Sequence, residues 1–300
     1  KKRITNSEGA SVYNNEGVFA YANSHGFLGG YPSTRHSISC SVIAEAGAAM
    51  QRDYWYTNAR DAKDMESASF VGKRAGERTV KRLGAKPIKT GQYPVLFEAP
   101  LASGLISSLL SAISGGNLYR KSSFLLDSLG KAVASPILNI DELPHLPKGI
   151  ASSAFDSEGV ATHARKLVEN GVLQGYMLSS YSSRKLGMQT TGNAGGSHNI
   201  VVQHTNHNLA DLLALMGTGL FVTEMLGHGL NMVTGDYSRG AAGYWVESGV
   251  IAYPVEEITI AGNMKDMLKH IVAIGDDAMK QSSKQTGSIL IEKMTVASSD

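Results

Sequence analysis

Three hundred residues with 42% hydrophobic content can bury a substantial core, enough for one large domain or two of medium size. A formal charge of +2 lacks the basic excess of a nucleic-acid binder, and the single cysteine, Cys40, excludes an internal disulfide and suits a reducing compartment. No apolar run reaches membrane-spanning length and KKRITNSEGA lacks a signal-peptide core, so a cytoplasmic chain with neither a membrane nor a nucleic-acid partner is expected.

From Ser11 to Asn58 the segments SVYNN, GVFAYAN, GFLGGY, SISCSVIAE and MQRDYWYT alternate apolar and polar residues between NNEG, NSHG and EAGA turns. This predicts an antiparallel meander, with Cys40 a buried structural thiol and His25 and His36 structural groups beside the turns. Ser67 or Ser69 then caps a helix running to about Leu83, with Val71, Ala75 and Val80 inward. Lys73, Arg74, Arg78, Lys81 and Arg82 read as its solvated face, with Lys86 and Lys89 continuing the basic run beyond its end. Gly84 stops the helix, and residues 85–92 read as a linker between a β-rich part, 1–84, and an α+β part, 93–300.

YPVLFE predicts a short buried strand, and Leu101 to Ser114 a helix burying Leu101, Leu105, Leu109 and Ile113. YRKSSFLLDSLGK reads as a surface helix with an Asp127–Lys131 pair, or as a contact surface for a partner chain. Ile137 to Ile140 is strand-like, ELPHLPKG is a proline-bounded loop, and Asn170-Gly171 predicts a type I′ hairpin. SSYSSRKLGM predicts a short helix ending at Gly187, followed by TTGNAGGSHN, a flexible or substrate-facing loop without a phosphate-binding pattern. Asn208 caps LADLLALM, Ser248-Gly249 turns another hairpin, EITIAG is a strand, Asn263 caps a helix reaching Gly275, and GSILIEKMTV is a closing strand.

Two groups invite a metal reading. Glu224 and His228 share a helix face if TEMLGH is helical, with Thr223 where a zinc-peptidase helix has its first histidine; Gly227 and Gly229 favour instead a glycine-rich turn between strands. His198, His204 and His207 form the only histidine concentration, with no third acidic or cysteine ligand nearby in sequence, and read as surface groups.

GTGLFVTE, TGDYSRGAAGYWVESG, YPVEEITIAGN and GSILI, with NSHGF, STRHS, YRKSSFLLDSLGK, FDSEG, SSYSSRKLG and TGNAGG upstream, resemble the PmbA (TldE) branch of the TldD/PmbA family, once called modulators of DNA gyrase. The resemblance covers nearly the whole chain and implies an α+β fold of large antiparallel and mixed sheets with packed helices, and a family chain whose N-terminal α/β region is absent here. In the catalytic TldD branch, the helix matching Leu101–Ser114 carries HExxxH and a cysteine near the last strand completes a zinc site that activates water. Here the matching helix positions are Ser107, Ser108 and Ala112, and the local residues before the last strand are Gln285, Thr286, Gly287 and Ser288. The resemblance therefore implies a subunit with no cofactor of its own, inactive alone and paired with a zinc-bearing TldD-type subunit that cuts unfolded or leader-type peptides. A homodimer is plausible for the isolated chain. Asp236, Tyr237, Arg239, Gly235, Gly240 and Gly243 are expected to line a peptide channel, or else to form a tight turn in which Arg239 satisfies Asp236. The alternatives are an autonomous metallopeptidase using Glu224 and His228, and a non-enzymatic modulator of gyrase.

Overall fold

A computed structural model describes residues 3–298. Strands β1 (Ile4–Ala22), β2 (Leu28–Ala46) and β3 (Ala49–Ala59) form an antiparallel three-stranded sheet. The NNEG segment is not a turn: Asn14, Asn15, Glu16 and Gly17 pair with His36, Arg35, Thr34 and Ser33 in one unbroken ladder. The chain reverses at Asn23–Gly26, because the Asn23 carboxamide accepts from the His25 and Phe27 amides at 3.0 and 3.2 Å while Gly26 takes φ 86. Cys40, between Ala10 and Trp55, is half-buried rather than wholly inside.

Helix α1 (Ala68–Lys81) begins where Ser67 Oγ accepts from the Phe70 amide at 3.2 Å. Val71, Ala75 and Thr79 are its buried residues, so the four-residue spacing places Thr79 inward in place of Val80. Arg78 and Arg82 also depart from a solvated face: both are largely buried and ion-paired, Arg78 to Asp53 and Glu98, Arg82 to Glu224.

Strand β4 (Gly91–Phe97) leads into α2 (Ala99–Ala112) and α3 (Gly115–Tyr119). The expected helix beyond Tyr119 is replaced by turns, with Lys121 and Asp127 at φ 56 and 52, and its Phe124 and Leu125 enter the core. Next come β5 (Ile140–Glu142), β6 (Arg165–Glu169), β7 (Val172–Leu173), α4 (Ser180–Leu186) and β8 (Ile200–Val202). Asn170 and Gly171 turn the β6–β7 hairpin at φ 48 and 76, as a type I′ turn requires.

Helix α5 (Leu209–Met216) carries an Asn208–Asp211 capping box and leads to β9 (Gly219–Leu226), β10 (Asp236–Glu247) and β11 (Val250–Asn263). Helix α6 (Met264–Lys269) is shorter than expected: Ile271–Ile274 form β12, pairing their β-branched residues with the closing strand instead of extending the helix. Strand β13 (Lys284–Gln285) adds to the small sheet in the order β13-β8-β5-β6-β7, and β14 (Ile289–Ser298) is central to the large one, in the order β11-β10-β9-β4-β14-β12. Because β11 also pairs with β14, five strands close on themselves, antiparallel except at β4–β9. The main core gathers the apolar face of α2 (Leu105, Ile106, Leu109) with residues of this ring such as Val95, Ile258 and Ile291. The result is the expected α+β architecture. No helix among the described residues is long and apolar enough to cross a membrane.

Candidate functional site

A groove runs between the three-stranded sheet and the rest of the chain. Two cavities of about 560 and 400 Å³ share Arg60, Leu146, Lys148 and Gly149. A third of about 170 Å³ adjoins through Tyr31 and Ser153 and is lined by Ala194, Gly195, Gly196 and His198, so the TTGNAGGSHN loop does border open space.

The loop at its centre contains Pro144 and Pro147, which offer no amide, and a wholly buried asparagine compensates. Asn199 Nδ2 donates to Leu143 O at 3.0 Å and to Ser152 Oγ at 2.8 Å, while its Oδ1 accepts from the Ala151 amide at 2.9 Å. Arg60 ties this loop to β2, donating to Ile150 O at 2.7 Å, Gly149 O at 3.4 Å and Thr34 O at 3.2 Å. Lys148 Nζ donates to Asp61 Oδ2 and Asp64 Oδ2, both at 2.8 Å. Those hydrogen bonds hold its ammonium above the ordinary lysine range and the Asp61 carboxyl below the carboxylate range. Lys280, Gln281 and Gln285 line the cavity of about 560 Å³ as well, and the buried Oδ1 of Asn58, another lining residue, has no partner. Donors and acceptors of this kind can hold an extended chain.

Below the third cavity lies a buried network. Glu142, 1% exposed, accepts from Arg165 Nε at 2.8 Å, Asn193 Nδ2 at 2.7 Å, and the His198 amide and Nδ1 at 3.0 Å. Burial alone would raise its carboxyl, but the His198 and Arg165 contacts bring it down to about 2.

The zinc positions implied by resemblance do not suit a metal. Ser107 and Ser108 donate to Ser103 O and Gly104 O of their own helix at 2.7 and 3.0 Å, and Ala112 is wholly buried. Ser288 Oγ accepts from the Ala99 amide at 3.0 Å and donates to Asp277 Oδ2 at 2.7 Å, Thr286 is buried, and Gln285 faces the groove. Nor do the other candidates assemble. Glu224 sits on strand β9 against Arg82, with His228 in the loop beyond, so the helical reading fails. His204 accepts from the Asn206 amide at 3.2 Å, His207 bonds Thr205 Oγ1 at 2.9 Å, and His198 belongs to Glu142. Among the described residues no three His, Cys, Asp or Glu side chains are placed to hold a metal ion.

The glycine-rich stretch lies on β10, and none of its expected wall residues lines the groove. Asp236 accepts from Thr234 Oγ1 at 2.6 Å and Asn263 Nδ2 at 3.0 Å, not from Arg239, and these bonds lower its pKa. Gly235 takes φ 86, Tyr237 is buried with its hydroxyl pushed up to about 12, and Arg239 beside it leaves Nε buried without a partner. A Cβ on Gly243 would lie 2.0 Å from Phe221 O, and one on Gly240 3.1 Å from Leu226 Cβ, so Gly243 is required by the close approach of β9 and β10. Arg60, Asn58, Lys148 and Lys280 belong to no motif in the sequence; the proline-bounded loop ELPHLPKG is the one signal that points to Lys148.

Residues 90–298 match the PmbA/TldA metallopeptidase C-terminal domain and residues 1–83 the central domain of the same family. The chain belongs to the PmbA/TldD family. It is 51% identical to Metalloprotease PmbA of Escherichia coli O157:H7 and 52% identical to the Metalloprotease PmbA homolog of Haemophilus influenzae, in each case over 99% of this chain and 66% of the relative. It thus spans just under two thirds of the length of these relatives. A Bacteroides thetaiotaomicron crystal structure described as a candidate modulator of DNA gyrase superposes with a TM-score of 0.94 at 32% identity, covering all of this chain and 68% of that one. PmbA/TldD membership stands beside the finding that, among the described residues, no three His, Cys, Asp or Glu side chains are grouped to hold a metal ion.

Proposed function

We propose that this chain is the non-catalytic subunit of a two-chain zinc peptidase, in which a TldD-type partner carries the HExxxH site and this chain holds the peptide. The observation that carries the reading is on α2, where the positions that would present imidazoles and a carboxylate carry two self-bonded serine hydroxyls and a buried alanine. The groove supports the second half: Arg60 and Lys148 brace its wall through their bonds to the loop and to Asp61 and Asp64, and the Lys280 and Gln281 side chains on its lining can donate to the carbonyls of an extended peptide. Unfolded and leader-type peptides present such backbone freely, and the cytoplasm is where the chain would meet them. Zinc held by the partner would supply an activated water for attack on a peptide carbonyl, and this chain would orient the peptide and keep it extended.

Metal content and peptide cleavage measured on the chain alone, and again after mixing with a TldD-type subunit, test this. No zinc and no cleavage alone, with about one zinc per pair and cleavage in the mixture, is the expected result. One tightly held zinc on the isolated chain would overturn it.

A further inference from the structure

Helices α3 and α4 pack together and present a group of cations that no carboxylate of the described chain answers. Tyr119 and Tyr181 meet edge to face, their centroids 5.7 Å apart. The Arg120 guanidinium lies 5.2 Å over the Tyr119 ring, donating to Tyr119 Oη at 3.1 Å and Asn117 Oδ1 at 3.3 Å. Gly116 makes room for that fold-back, since a Cβ there would stand 3.3 Å from Arg120 Nη2. One turn along α4 from Tyr181, Lys185 places Nζ 5.6 Å over its ring, with Arg184 alongside, and Lys121 follows Arg120. Arg120, Lys121, Arg184 and Lys185 are all exposed, and none has an ion-pair partner among the described residues. Some exposed lysines pair, Lys73 with Glu77, Lys166 with Glu169 and Lys148 with Asp61 and Asp64, while others such as Lys81 and Lys131 do not among the described residues; what sets this group apart is that four cations share two packed helices and two of them are held over tyrosine rings. Glu158, which reaches α4, accepts from the Ser180 amide at 2.8 Å in the first turn, the opposite end from Arg184 and Lys185.

We propose that this patch docks an acidic peptide segment of a partner protein. Uncompensated cations on a chain of net charge only +2 call for a partner of opposite sign, and arginine forks match carboxylates in geometry as well as charge. Nucleic acid is the poorer fit. Its bases need open ring faces to stack on, whereas each tyrosine here has a cation over its face and the other ring against it. The rings serve to hold the cations in place, and their fixed heads cost a peptide less to engage than free lysines would.

Fluorescence anisotropy with a labelled octaglutamate peptide and the full chain tests the assignment, with a labelled oligothymidylate as the competing probe. Octaglutamate is expected to bind in a salt-sensitive manner, about tenfold more weakly to an Arg184→Glu/Lys185→Glu variant, and unchanged to Lys81→Glu, an exposed cation on α1. Should the α4 variant fail to fold, Lys121→Glu reads the same surface from the α3 side. No binding of octaglutamate, an equal loss in Lys81→Glu, or tighter binding of oligothymidylate would overturn the proposal.

Discussion

Arg78 and Glu98 are joined by a two-point contact, Nη1 to Oε1 at 2.6 Å and Nη2 to Oε2 at 3.1 Å, while Arg78 Nε donates to Asp53 Oδ2 at 3.2 Å. One guanidinium thereby links α1, β3 and the entrance to α2, all at under 15% side-chain exposure. Burial alone would lower its pKa, but Glu98 and Asp53 raise it above the ordinary arginine range, so it is charged at any working pH. Arg78→Met leaves two buried carboxylates facing each other and is expected to cost about 3 to 5 kcal/mol in chemical denaturation. Arg78→Lys should recover only part of that, since an ammonium cannot span both carboxylates in the same plane.

The Glu142 cluster sets an acid limit. Its folded-state pKa, about 2, lies below the ordinary 4.5, so its stabilising effect is complete above about pH 4.5 and is lost as pH falls toward about 2. At 1% exposure the effect is at most about 3 kcal/mol. Denaturation midpoints measured across that window should drop for the native sequence and flatten for Glu142→Gln. A parallel decline in both would assign the acid sensitivity to other carboxylates.

Where a single residue decides a local geometry, the sequence was readable. Asn170-Gly171 and Ser248-Gly249 both adopt positive φ pairs, and Ser67, Asn208 and Asn263 cap the helices they precede. Where partners distant in sequence decide, it was not. Asn14–Gly17 looks like a turn until β2 pairs with it, and Ile271–Ile274 looks helical until Ile289–Ile291 lie alongside. Arg78 and Arg82 follow the periodicity of a solvated face, and only Asp53, Glu98 and Glu224, brought from three other segments, bury them. The groove was hidden for the same reason: Arg60, Lys148 and Lys280 are more than 80 residues apart in sequence at each step and meet only in the fold.

Two glycines of the stretch around β9 and β10 separate packing from permissiveness. A Cβ on Gly229 would fall 1.5 Å from Ser238 O, and on Gly243 2.0 Å from Phe221 O, both backbone atoms that cannot swing aside. Gly229→Ala and Gly243→Ala are each expected to lower stability by about 2 kcal/mol or more, through displacement of β9, β10 or the loop between them. Gly17→Ala is the control: nothing lies within 4 Å of its Cβ position and its φ is ordinary, so the change should be neutral or stabilise by about 0.5 kcal/mol. Thermal unfolding of the three variants side by side checks the contrast.

Glu224 offers the sharpest separation between a structural carboxylate and a metal ligand. It lies on β9 with Arg82 as its partner, and a metal competing for it would have to break an ion pair whose arginine is only 12% exposed. Glu224→Gln is therefore expected to lower stability by about 1 to 2 kcal/mol, by leaving Arg82 without its full counter-charge. The zinc content of a mixture with the TldD-type subunit should stay unchanged, as it should for His228→Ala, because neither side chain belongs to a ligand set among the described residues. Denaturation and metal analysis on the same preparations give both readings. Loss of zinc without loss of stability would make Glu224 a ligand and return the catalytic role to this chain.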